Sequence, residues 1–141
     1  AGAGLGKLDD QRNARINHGG IVSGHVVKDE WVLPPAYVRN ALDAQPSQVV
    51  ILPVIGHSME PMLSANDRIL VDVSQNVWVG DAVYVIDDGD MVLRAKTIRK
   101  VTASNPPEYR IISEATPNDS DTLTADQFRI VGRVVGRFTK M

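Results

Sequence analysis

Gly56-His57-Ser58-Met59-Glu60-Pro61-Met62-Leu63 lies between the apolar run Val49–Ile55 and a second run, Asp67-Arg68-Ile69-Leu70-Val71-Asp72. The two runs read as strands and the proline-bounded segment between them as a turn. Ser58 therefore presents its hydroxyl on a rigid turn whose neighbouring backbone N–H groups are not all consumed by a sheet ladder. A serine nucleophile needs a fixed Oγ with free donors beside it to hold an oxyanion. The backbone N–H groups of Ser58 and Met59 are the natural donors. A base is still required. Lys96 follows thirty-eight residues later, within Met91-Val92-Leu93-Arg94-Ala95-Lys96-Thr97-Ile98-Arg99-Lys100.

Outward from this stretch the pattern stays strand-like. Val49–Ile55, Arg68–Val73, Ala82–Ile86, Met91–Lys96, Tyr109–Ile112 and Phe128–Phe138 are rich in Val and Ile and separated by Gly, Asp, Asn and Pro. Asp88-Gly89 between two apolar runs signals a tight hairpin, which places Lys96 at the far end of its strand. Pro34 to Leu42 reads as one short helix with proline in its first turn. Ile21–Val27 reads as a short strand, and Leu8–Gly19 as irregular. Many short strands with one helix predict a mostly β, small, partly open barrel-like domain. Trp31 and Trp78, with Tyr37, are expected to cover one end of its core, and Met59 and Met62 to line the core or a groove.

The composition fits one ordinary globular domain: 141 residues, 43% hydrophobic and 23% charged, with a net charge of −2. No run approaches the ~20 apolar residues of a membrane-spanning helix, so no membrane association is expected. The chain lacks cysteine, which suits a cytoplasmic setting. The one basic cluster, Arg94, Lys96, Arg99 and Lys100, is split between faces by strand alternation, so this region is not expected to grip DNA by itself. His18, His25 and His57 share no ligand spacing, so no metal and no other cofactor is expected.

Lysine accepts a proton only as the neutral amine, and its unperturbed pKa is about 10.4. Enclosure by apolar neighbours disfavours the ammonium. Val92, Leu93, Ala95 and Ile98 flank Lys96 and supply such an environment, and no carboxylate is expected in contact with the amine. Taken singly, a serine before a turn is ordinarily a cap and a strand lysine ordinarily a surface charge. A Ser-His-Asp triad is the competing arrangement. It is disfavoured because His57, adjacent to Ser58, points to the opposite face on an extended chain, and the other histidines lie in a weakly patterned third.

Four ordered blocks decide between these readings. They are Gly56-His57-Ser58-Met59-Glu60-Pro61-Met62-Leu63 with Asp67 and its aliphatics, Gly80-Asp81-Ala82-Val83-Tyr84-Val85, Ala95-Lys96-Thr97-Ile98, and Ile130-Val131-Gly132-Arg133-Val134-Val135-Gly136. Together they resemble the LexA and phage-repressor peptidase family, over roughly Val49 to Phe138. The signal peptidases share a similar Ser-Met-x-Pro box but carry a membrane anchor.

The resemblance implies a Ser58/Lys96 dyad and a serine endopeptidase that cuts its own chain once in a linker. It implies the carboxy-terminal domain of a LexA-like or prophage transcriptional repressor, stimulated by a RecA–single-stranded-DNA filament. A homodimer is implied, with Phe128–Phe138 offering an interface, though an interior strand would read the same way, and DNA is bound only through an amino-terminal domain outside this chain. Residues 1–20 are expected to be a remnant of the linker and cleavage region, and residues 21–141 the peptidase and dimerisation domain. The family's Ala-Gly cleavage dipeptide has two counterparts, Ala1-Gly2 and Ala3-Gly4, though a plain Ala/Gly-rich linker would read the same way. The alternatives are a UmuD-like accessory subunit of an error-prone polymerase, and a dimerisation domain that does not cleave.

Overall fold

The computed structural model describes residues 14–15, 32–90 and 92–141. The expected strand Ile21–Val27, His18, His25, Trp31, Met91 and the candidate bonds Ala1-Gly2 and Ala3-Gly4 lie outside the described residues. A two-residue strand, β1 (Ala14–Arg15), falls in the stretch read as irregular and pairs with β2 (Val32–Leu33). The helix α1 (Pro35–Ala41) follows, with proline at its start as the sequence requires.

The remaining strands are β3 (Val49–Pro53), β4 (Arg68–Asp72), β5 (Ala82–Asp87), β6 (Leu93–Lys100), β7 (Glu108–Ile112), β8 (Asp121–Thr124) and β9 (Arg129–Phe138). They form one antiparallel sheet in the order β3-β4-β9-β5-β6-β7-β8. The sheet is unclosed, with β3 and β8 at its ends, so the mostly β, partly open architecture with one short helix holds.

β9 is interior, between β4 and β5, but each neighbour covers only part of it: β4 pairs along Arg133–Phe138 and β5 along Arg129–Arg133. Its register slips once against each partner. Leu70 pairs with Gly136 but Val71 with Val134, and Val85 pairs with Gly132 but Ile86 with Ile130. An extra residue on one strand bends it and increases the local twist. Val135 and Val131 are the extra residues here, and they curve the sheet without closing it. Gly132 lies so near β4 that a Cβ would sit 2.7 Å from Asp72 O, so only glycine fits that crossing.

Strand alternation divides the core in two. On β5, Val85 packs with Val50, Ile51, Leu70 and Val71, whereas Tyr84 and Ile86 pack with Ile98, Ile111 and Ile130. The first cluster takes Val38 and Leu42 from α1. It also takes Met59 and Leu63 from the turn after β3, at 3% and 4% exposure. Trp78, Tyr109 and Phe128 edge the second cluster, with ring centroids 5.8 Å apart in each neighbouring pair. Tyr37 is exposed on α1, so the expected partnership of Tyr37 with Trp78 does not form.

Candidate active site

The turn between β3 and β4 is anchored from beneath and open above. Gly56 enters it with φ +79°, a left-handed conformation that side-chain-bearing residues rarely adopt. Met59 and Leu63 are buried, and Leu63 N–H donates to Met59 O at 2.9 Å, closing a helix-like turn. The first N–H groups of such a turn have no partner inside it. Among the described residues, those of Ser58 and Met59 donate to no protein acceptor. Ser58 itself is exposed, and its carbonyl accepts from Ala115 N–H at 2.9 Å. The turn thus presents a hydroxyl beside two free backbone donors, the arrangement an oxyanion needs.

Lys96 lies in the middle of β6, not at its end, because the strand runs on to Lys100. The β5–β6 hairpin is also wider than the two-residue turn expected from Asp88-Gly89, since Asp87 pairs with Leu93. On β6, β7 reaches only Thr97–Lys100, which leaves the Leu93–Lys96 edge without a strand partner among the described residues. The lysine sits where that ladder stops. One register step beyond Thr97–Ile112 is Lys96 opposite Ser113, and Lys96 Nζ donates to Ser113 Oγ at 2.5 Å.

Ser58 and Lys96 line one cavity of about 270 Å³, together with Leu52, Val54, Ile55, Met59, Ile69, Val85, Val92, Leu93, Arg94 and Ala95. Burial against these apolar walls lowers the Lys96 pKa, and the positive charge of Arg94 pushes the same way. Asp121 and Asp88 oppose the shift more weakly. No carboxylate forms an ion pair with the amine among the described residues. No hydrogen bond joins Ser58 Oγ directly to Lys96 Nζ there either. Apo enzymes often hold catalytic pairs loosely and tighten them only around substrate.

His57 turns outward, with Nδ1 2.9 Å from Glu60 Oε2 at the exposed rim, so it does not serve Ser58. Among the described residues no cluster of His, Asp or Glu is placed to hold a metal ion, and no helix is long and apolar enough to cross a membrane. Met59 lines the cavity while Met62 is 43% exposed and lines a separate groove.

Sequence reasoning missed two side chains at this site. Arg94, which the sequence offers only as one member of a split basic cluster, is half-buried on the cavity wall, with Nη2 2.5 Å from Asp90 Oδ2 and its Nε buried without a hydrogen-bond partner. Ser113 also escaped notice. Its position just past the run Tyr109–Ile112 gives no sign of Lys96 until the β6–β7 register is known.

No curated protein matches the chain. The family model for Peptidase S24-like proteins matches residues 15–135, and the chain accordingly belongs to the Peptidase S24-like family.

Proposed function

We propose that this is the self-cleaving carboxy-terminal domain of a LexA-like or prophage transcriptional repressor, with Ser58 as nucleophile and Lys96 as general base. The observation that carries the reading is the shared cavity, where an exposed serine on a rigid turn meets a lysine whose burial favours the neutral amine. Membership in a peptidase family supports it.

An extended linker segment lies along the Leu93–Lys96 edge, unpaired among the described residues, as peptides add to open sheet edges elsewhere. Its scissile carbonyl reaches Ser58. As Oγ forms its bond to the carbonyl carbon, the hydroxyl proton passes to Lys96 Nζ. The carbonyl oxygen becomes an oxyanion held by the Ser58 and Met59 N–H groups. Collapse breaks the C–N bond, the Lys96 ammonium returns the proton to the leaving amine, and water hydrolyses the acyl ester. Release of an amino-terminal DNA-binding head from its dimerising body ends repression. A RecA–single-stranded-DNA filament acts by favouring the conformer with the linker seated, which is a population shift.

A chain extended upstream through its linker, incubated at about pH 9 to 10, is expected to give a single cut that Ser58→Ala and Lys96→Ala each abolish. Unchanged cutting in Ser58→Ala removes the serine from the mechanism. An extended chain whose upstream segment is too short for a DNA-reading domain, yet still cut once, replaces the repressor with a UmuD-like subunit.

A further inference from the structure

The segment after β7 touches both halves of the site, although it contributes no residue to the dyad. Ser113 Oγ accepts from Lys96 Nζ at 2.5 Å, and Ala115 N–H donates to the Ser58 carbonyl at 2.9 Å. Thr116 N–H donates back to Ser113 O at 3.0 Å, which closes the segment as a turn. Glu114, between the two contacts, is itself occupied, because Thr97 Oγ1 donates to its Oε2 at 2.5 Å. One short turn therefore binds the nucleophile's backbone and the base's side chain, and fixes their separation through few bonds.

We propose that Ser113 is a positioning residue for the Lys96 amine and that the Ser113–Thr116 turn braces Lys96 against Ser58. The inference rests on the dyad reading. A neutral amine has one lone pair, and that pair must face Ser58 Oγ to take its proton. The amine's remaining freedom is rotation about its last bonds. An N–H donated to Ser113 Oγ removes that rotation and leaves the lone pair free for Ser58. The same oxygen accepts more strongly from an ammonium than from an amine, so its removal favours deprotonation. Among the described residues, the charged groups that act on the amine are Arg94 on its own strand, Asp121 at the start of β8 and Asp88 in the β5–β6 loop, while the carboxylate of Glu114 is turned to Thr97. Ser113→Ala leaves all of them in place.

The test is the self-cleavage rate of the linker-extended chain across pH for Ser113→Ala and Ser113→Thr. Loss of the hydroxyl is expected to lower the alkaline plateau about ten- to hundredfold, the scale of a small misplacement of a catalytic group. The midpoint should move toward acid, and threonine should restore most of the rate. A packing role would reduce the plateau without moving the midpoint. Parental plateau and midpoint in Ser113→Ala overturn the proposal, as does a threonine variant no faster than alanine. Titration of the Lys96 ε-carbon by NMR, with and without Ser113→Ala, separates this from the dyad itself. If the parent chain never cuts, the dyad reading falls. Its failure takes the positioning role with it, whereas a parent that cuts but whose Lys96 midpoint does not move in Ser113→Ala overturns the Ser113 assignment alone.

Discussion

The serine's turn and the lysine's strand meet at one cavity but are built in opposite ways. Ser58 is placed by backbone: a left-handed glycine before it, two buried side chains under it, and Ala115 N–H on its carbonyl. Lys96 is placed by surroundings, on a half-strand with one edge open among the described residues, between an apolar wall, Arg94 and Ser113. The serine's site is rigid and exposed, whereas the lysine's site depends on which neighbours are present and charged. Substitutions in the turn should therefore cost stability, while substitutions around the lysine should move a pH profile.

The largest expected effect is on the turn's anchors. Met59→Ala or Leu63→Ala leaves a cavity under the turn and should destabilise the chain by about 2–5 kcal/mol, read from denaturant unfolding. A cost under about 1 kcal/mol would mean that the turn is not held from below. Gly56→Ala comes next, at about 1–2 kcal/mol for forcing a side-chain-bearing residue into left-handed backbone. No neighbour lies within 4 Å of the added Cβ, so the penalty is conformational alone.

Around the lysine the signs differ. Arg94→Gln removes a like charge that helps lower the Lys96 pKa, so the amine keeps its proton to higher pH and, under the proposed function, the midpoint of self-cleavage should move toward alkali. An unmoved midpoint would deny Arg94 any hold on the base. The smallest effect is on stability. Because the folded pKa is lowered, the unfolded chain binds more protons between that pKa and the unperturbed value, and stability rises with pH through this window. Below it, burying the ammonium costs the fold its full penalty. Lys96→Met should therefore melt slightly higher than the parent at neutral pH, with the advantage vanishing near pH 10.5.

The same contrast explains what the sequence disclosed. Backbone-built features were legible, because Val/Ile runs, a glycine before the serine and Pro61 after it are local signals. The strand cores at Val49–Pro53, Arg68–Asp72 and Ala82–Asp87 appear where the runs placed them. β8, Asp-Thr-Leu-Thr, did not register, since only Leu123 in it is apolar and its pairing with β7 supplies the order that composition does not. β6 was read too short because Arg99 and Lys100 look like a strand's polar end, yet both are paired to β7. Arg94 and Ser113 were illegible for the same reason. Their importance arises from register and cavity shape, which no run of residues encodes by itself.

The Leu93–Lys96 edge, unpaired among the described residues, has one further consequence. Backbone donors and acceptors carry no record of whose chain they belong to, so a seat of this kind is open in principle to another molecule's linker. Under the proposed reading, a short flexible tether gives the chain's own linker an effective concentration in the millimolar range, far above any plausible free competitor. Fidelity to self then resides in the leash and not in the groove, and severing it would turn a one-shot switch into an ordinary, weak protease.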